Sequence, residues 1–437
     1  MGESAWSWVL GQVRGDDGPW FPAEIPAQGE VDGTPHEARD TVQHGIGGLA
    51  LVLAEIGLAR PWTGEESALA AGIGRRIAAT ALTRSEPSLF FGLAGDVTAL
   101  RLLGPGTEEV ALGRLLDLTT PAGWPSVVTR HAGTAVHDLF LGSAGVVLAG
   151  AWVGSPAGDA VAAAGADALL AVAEETTAGL DWLPAPAWHR RLPNYSHGTA
   201  GIATALAVAG HRLGRTDLID AARRGAEHLL SIGDLSGGGF TLPHYIPHGD
   251  SDEDPVTYSW CHGPAGTSYL FAALTDAGVE EVGGREVAEL HRRCLHAVMT
   301  SGAPERLRPG FWDNDGRCCG TAGVGDVFLD AVQSADDVRR AEELLAFARV
   351  LGDALVERAV RDEDGARWQF LEHRVDPPLL DPMTGWMQGA AGIAAFLLRL
   401  ARVTEQGPGA AVVDRSDQWW AVPASLRTSG RATTPVR

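Results

Sequence analysis

Lysine is absent from this chain of 437 residues; its permanent cations are all arginine. That excludes a Schiff-base lysine and the lysine-bearing loop that cradles nucleotide phosphates. Cysteine is almost as scarce. Four cysteines, two of them adjacent, make a poor disulfide framework at this length. Free thiols able to bind metal in a reducing cytoplasm fit better. No uninterrupted apolar run of about 20 residues occurs, which argues against a membrane span. The N-terminus has no basic patch leading into an apolar core, so no secretory signal is read there. The formal net charge of -21 argues against nucleic acid and against an anionic membrane surface as partners.

Glycine, by contrast, is abundant and falls in a fixed phase. A Gly-x-x-Gly step occurs at Gly45/Gly48, Gly92/Gly95, Gly142/Gly145, Gly198/Gly201, Gly263/Gly266, Gly320/Gly323 and Gly389/Gly392. The copies are 47 (Gly45 to Gly92) to 69 (Gly320 to Gly389) residues apart, long enough for a helix pair. Each step opens into a run of small and aliphatic residues, such as 49–56, 146–153, 202–209 and 393–400. These runs are apolar nearly all round, as expected of helices buried on every side. Several reach a glycine (Gly57, Gly210, Gly278), which suits a helix end.

Between the steps lie amphipathic segments, 65–84, 160–177, 217–232, 285–299 and 336–360, with apolar positions at helical spacing among Arg and Glu. Alternation of buried and amphipathic helices predicts an all-α fold in two concentric layers. This is an α/α toroid with about seven inner and seven outer helices. The alternative is an open solenoid of helix pairs. The expected organisation is an N-terminal segment over 1–43, one toroid domain over 44–422 and a disordered tail over 423–437. Two long inserts, 233–258 and 362–385, read as rim loops.

Superposing the steps locates a candidate site. The residue before the first glycine is His44, Phe91, Leu141, His197, His262, Cys319 and Gln388. The residue before that is Gln43, Phe90, Phe140, Ser196, Cys261, Cys318 and Met387. If the repeats close into a ring, these tips converge on one mouth. Repeats four to six then bring together His197, Cys261, His262, Cys318 and Cys319, and repeat three adds Asp138. Catalytic zinc commonly takes three protein ligands and leaves a fourth place open. Cys261, Cys318 and Cys319 supply such a set, and His262 is an alternative to one of them. Cys294 falls within an outer helix and reads as packing. His44 reads as a structural or rim residue, His244 and His248 as loop residues, and the acidic run 250–254 as a solvated loop.

With these motifs assembled, the chain resembles the LanC-like family of lanthipeptide cyclases. The likeness runs from about His44 to Ala401, through Asp138-x-x-x-Gly142, His197-Gly198, Trp260-Cys261-x-Gly263 and Cys318-Cys319-Gly320. The resemblance implies an α/α toroid, one zinc held by Cys261, Cys318 and Cys319, and acid/base or positioning roles for His197 and Asp138. It implies thioether (lanthionine or methyllanthionine) ring formation, in which cysteine thiols of a dehydrated ribosomal precursor peptide add to dehydroalanine or dehydrobutyrine. There are departures. One branch of the family has Cys-His-Gly where this chain has Cys-Cys-Gly, tyrosine where it has His262, and arginine where it has Thr257. No dehydratase or kinase-lyase region is present, so a stand-alone cytoplasmic cyclase working beside a separate dehydratase or kinase/lyase is expected.

Three other readings stay open. A glycosidase or epimerase on the same toroid would need paired carboxylates, and only Asp138 is acidic at the mouth. A non-catalytic zinc and peptide-binding scaffold would need a fourth protein ligand, such as His262 or His197. A related enzyme adding glutathione to dehydroamino acids would differ only in its thiol donor.

Overall fold

The computed structural model describes residues 1–15, 18–26, 35, 38–127, 133–186, 188–247, 254–305, 314–373 and 375–428. Helix α1 (Gly2–Gly11) comes first. Inner and outer helices then alternate: α2 (Gly47–Ala59), α3 (Gly64–Ala81), α4 (Leu93–Leu103), α5 (Glu109–Leu118), α6 (Ser143–Val153), α7 (Pro156–Ala171), α8 (Thr199–Leu213), α9 (Thr216–Ile232), α10 (Pro264–Asp276), α11 (Val287–Met299), α12 (Thr321–Gln333), α13 (Val338–Arg358) and α14 (Ala390–Gln406).

Inner helices are buried along their length; in α6 and α12 every residue is buried. Three outer helices, α3, α7 and α13, start on side-chain caps. Thr63 and Glu66 form a reciprocal capping box at α3, and Ser155 caps α7 with Pro156 at its first position. Each even-numbered helix from α2 to α12 packs on the outer helix that follows it, and α14 packs on α2, so the inner ring closes. This closure settles the choice between toroid and open solenoid.

The repeated glycines have two distinct reasons. A Cβ on the first glycine of any step would meet the carbonyl oxygen six residues upstream, where the incoming turn crosses itself; Gly45 meets Arg39 O and Gly263 meets Thr257 O. A Cβ on the second glycine would also meet the carbonyl oxygen six residues upstream, and at every step but Gly320/Gly323 it would strike a side chain of the preceding repeat as well. Gly95 lies against Val42, Gly145 against Leu89, Gly201 against Leu139, Gly266 against Tyr195 and Gly392 against Arg317. Gly48 receives Trp386, at 2.6 Å between Cβ positions, which joins repeat seven to repeat one. The step is therefore a socket for the neighbouring repeat.

Main-chain hydrogen bonds tie the tips together. The N–H of Gln43 donates to Phe90 O (2.9 Å), Phe140 to Ser196 (3.0 Å), Ser196 to Cys261 (2.9 Å), Cys261 to Cys318 (3.1 Å), Cys318 to Met387 (2.8 Å) and Met387 to Gln43 (3.4 Å). These are the aligned positions two before the first glycine. Their equivalence in sequence becomes a belt at one height around the mouth.

Several boundaries differ from expectation. The described part of the N-terminal segment packs against the ring. Helix α1 packs on α14 in the outer layer, and Trp6 donates from Nε1 to Glu66 Oε1 at 2.7 Å. The outer helix of repeat two, α5, has only ten residues and a narrow apolar stripe of Ala111, Leu112 and Leu115. Gly210 lies inside α8 and gives α9 close approach; the helix ends at Gly214, in the left-handed region at φ 66°. Gly57 likewise lies inside α2.

The chain after α14 packs against the middle of the inner helices. Ser416 bonds Thr98 of α4 (2.6 Å), Trp420 donates to Tyr269 O of α10 (3.2 Å) and Arg415 bonds Asp326 of α12 (2.8 Å). Arg427–Thr428, within the segment expected to be a disordered tail, pairs in parallel with Val412–Val413. Residues 429–437 lie outside the described residues, as do His248 and Asp250 to Glu253 of the acidic run. No helix among the described residues is long and apolar enough to cross a membrane.

Candidate functional site

The belt places Cys261 and Cys318 side by side, with Cys319 next in the chain. Among the described residues these three form the one group of at least three His, Cys, Asp or Glu whose ligand atoms all lie within 4.8 Å of one another. Cys261 Sγ and Cys319 Sγ are 3.4 Å apart. A tetrahedral zinc with Zn–S of about 2.3 Å sets its sulfurs about 3.8 Å apart, so the cluster fits such an ion with little adjustment. All three cysteines are buried. Burial pushes the thiols of Cys261 and Cys319 up. At Cys261 the neighbouring sulfurs of Cys318 and Cys319 and the charge of His262 outweigh burial and hold it well below the usual thiol range. Cys319, buried beside the other two sulfurs, is pushed well above it. Without a cation the three cannot ionise together, and this is the chemistry a bound metal ion relieves.

His197 occupies the tip of repeat four. Its Nδ1 lies 2.8 Å from Asp138 Oδ2, and Asp138 Oδ1 accepts from the backbone N–H of Leu141 at 2.6 Å. Asp138 is fully buried, while the His197 side chain is 20% exposed at the mouth. Burial opposes protonation of His197. The charge and hydrogen bond of Asp138, with the charge of Cys261, outweigh it and raise the imidazole above its ordinary value. Phe140 meets the ring edge-on with centroids 5.3 Å apart, and Trp188 lies across it at 5.8 Å.

His262 lies between His197 (5.6 Å, stacked) and His244 (4.5 Å). It does not belong to the three-sulfur group. Thr257, where one branch of the family has arginine, donates to His262 O at 2.8 Å and so braces the turn. His244 is not an open loop residue. It is fully buried, stacked on Tyr245 at 3.9 Å, and part of the cover over His262. His44 is half-buried with its ring at 6.0 Å from Phe91. Burial lowers it to about 4, so it is a neutral rim group. Cys294 is buried in α11, where burial pushes its thiol up, as suits a packing residue.

A family model described as lanthionine synthetase C-like protein matches residues 36–408. The chain belongs to that family. Among solved structures it is similar to nisin cyclase, at 13% identity and a TM-score of 0.57, over 85% of this chain and 90% of the other. It also matches an unsaturated glucuronyl hydrolase specific for heparin (10% identity, TM-score 0.45, 92% and 96% covered) and cellobiose 2-epimerase from Spirochaeta thermophila DSM 6192 (13%, 0.43, 92% and 94%). No curated protein sequence matches the chain.

The repeats share a further column. The residue four before the first glycine is Thr41, Ser88, Asp138, Asn194, Ser259, Gly316 and Gly385. In repeats one, three and five its side-chain oxygen accepts the N–H of the residue three further on: His44 to Thr41 (3.2 Å), Leu141 to Asp138 (2.6 Å) and His262 to Ser259 (3.3 Å). The signal for Thr41 and Ser259 is the same aligned position that holds Asp138 in repeat three. Trp188 had no such signal, because it lies on a loop outside the repeated phase.

Proposed function

We propose that this chain is a zinc-dependent cyclase that closes thioether rings in a dehydrated precursor peptide, in a reducing cytoplasm where its thiols stay free. The observation that carries the reading is the group of three buried cysteine sulfurs with no fourth His, Cys, Asp or Glu in it among the described residues. Structural zinc usually has four protein ligands, and catalytic zinc keeps one place open. A metal-binding scaffold is therefore the weaker reading.

Cys261, Cys318 and Cys319 would hold the ion, which when bound favours the thiolate form of a substrate cysteine. The remaining work falls to the chain's own residues. In the addition, sulfur forms a bond to Cβ of the dehydroamino acid, the Cα–Cβ π bond opens, and Cα gains a proton. His197 is placed to give that proton. Asp138 fixes Nδ1, leaving Nε2 for the substrate, and favours the protonated ring. The imidazole recovers, through solvent, the proton that the substrate thiol released when it became a thiolate, so the addition gains and loses no proton overall. Phe140 and Trp188 shield it from bulk water.

Ring closure leaves the mass of the peptide unchanged and removes a free thiol. The test is a zinc-loaded protein incubated with a peptide carrying dehydroalanine and cysteine, followed by thiol alkylation and mass analysis. Unchanged mass with loss of alkylation is expected from the wild type and not from Cys318→Ala. Retained alkylation with metal bound would favour the scaffold. A gain of one glutathione mass, with glutathione supplied, would favour the glutathione-adding reading.

A further inference from the structure

We propose that Ser259 is a positioning residue of the three-sulfur centre, whose hydroxyl donates to Cys261 Sγ and sets how firmly that sulfur holds a metal. The proposal rests on the reading of Cys261 as a metal ligand.

The argument starts from the repeats. Ser259 occupies in repeat five the place that Asp138 occupies in repeat three. Each side chain caps its own turn by accepting the backbone N–H three residues on. Each then has hydrogen-bonding capacity left over, and each spends it on a group of the site. The second carboxylate oxygen of Asp138 meets His197 Nδ1. Ser259 Oγ lies 3.2 Å from Cys261 Sγ.

The direction of that contact follows from the ligand reading. A serine hydroxyl has one proton to donate and lone pairs to accept. The N–H of His262 takes one lone pair, and a metal-bound Cys261 is a thiolate with no proton of its own, so the contact to Sγ uses the O–H proton. Ser259 is 3% exposed, so water competes little for that proton. A hydrogen bond to an ionised group is shorter and stronger than a neutral one. Here it withdraws charge from one of three sulfurs packed close together. It also fixes the Cys261 rotamer toward Cys319. Groups that orient metal ligands in this way are commonly worth 10- to 100-fold in metal affinity.

The test uses the full chain as Ser259→Ala, with Ser259→Thr to retain the hydroxyl and Ser259→Gly should the alanine variant not fold. Zinc affinity is measured by competition with a chromophoric chelator. The cobalt(II)-substituted proteins give the sulfur-to-metal charge-transfer band. Loss of the hydroxyl is expected to weaken zinc binding about 10-fold or more and to move the band to lower energy, because the sulfur lone pair is no longer stabilised. Ser259→Thr should restore both. Unchanged affinity in Ser259→Ala overturns the proposal. Weakened affinity with an unmoved band also overturns it, since that marks a packing role. A wild type that takes up neither metal overturns the ligand reading itself, and the proposal with it.

Discussion

His197 Nδ1 lies 2.8 Å from Asp138 Oδ2, although 59 residues separate them and each belongs to a different repeat. The pair joins the tip of repeat four to the turn of repeat three. Asp138 supports the protonated imidazole, so a larger fraction carries the proton at neutral pH. His197→Asn is expected to slow ring closure by about 10²- to 10⁴-fold with zinc content unchanged. Asp138→Asn removes the charge that raises the His197 pKa. The basic limb of the rate profile, where His197 loses its proton, should therefore move to lower pH. A pH–rate profile of the two proteins on one peptide checks this, and an unmoved limb argues against His197 as the acid.

Cys319→His would replace a thiolate by a neutral imidazole. Three thiolates make a more electron-rich centre, which should hold a substrate sulfur less tightly and leave it more nucleophilic. The variant is therefore expected to bind zinc and to close rings more slowly. Single-turnover rates at equal metal loading decide it; a faster variant contradicts the electronic argument.

Ring closure depends on small sockets. Gly48→Ala would set a Cβ 2.6 Å from Trp386 Cβ, between two parts of the chain already held by the belt. A cost of about 1–3 kcal/mol is expected from such overpacking. Gly74, inside α3, meets nothing within 4 Å. Gly74→Ala should stabilise by about 0.5–1 kcal/mol, since alanine loses less backbone freedom in a helix. Denaturant unfolding of both variants separates the socket from the general cost of glycine.

Glu66 clamps α1 to α3. It accepts from Trp6 Nε1 (2.7 Å), from Arg60 (2.8 Å) and from the N–H of Thr63 (2.7 Å). The Arg60 guanidinium first, then Thr63 and Trp6, lower its carboxyl from 4.5 to about 2 against the effect of burial. A depressed folded pKa means stability that is fully present above the unfolded value near 4.5 and lost as pH falls through about 2. Glu66→Gln should lower stability by roughly 2 kcal/mol at pH 7 and flatten the dependence between those pH values. Unfolding free energies measured across that range check both statements.

The inner ring was the most legible part of the sequence. Its glycines recur because both glycines of a step avoid a carbonyl of their own turn, and six of the seven second glycines also admit a neighbour's side chain. The three cysteines were legible for the same reason: two share an aligned position and the third follows one of them. Less was legible where identity varies between repeats. Ser259 stands in a column of Thr, Ser, Asp, Asn and Gly, in which only Thr41, Asp138 and Ser259 make the same hydrogen bond in the turn. His244 looked like a loop residue because the burial that covers it comes from residues remote in the chain. Helix α5 was missed because ten residues with three buried apolar positions give a weak period.

By itself, the sequence determined the number of repeats, the alternation of buried and amphipathic helices, and which residue types stand at each tip. Those follow from local rules of helix periodicity and steric room at glycine. The tertiary structure alone decided which tips meet. Trp386 seated on Gly48, α1 taken into the outer layer, Asp138 set against His197, and Ser259 aimed at Cys261 while it caps its own turn all depend on how far each repeat turns before the ring closes. That angle is the sum of many packing contacts, and no single stretch of sequence carries it.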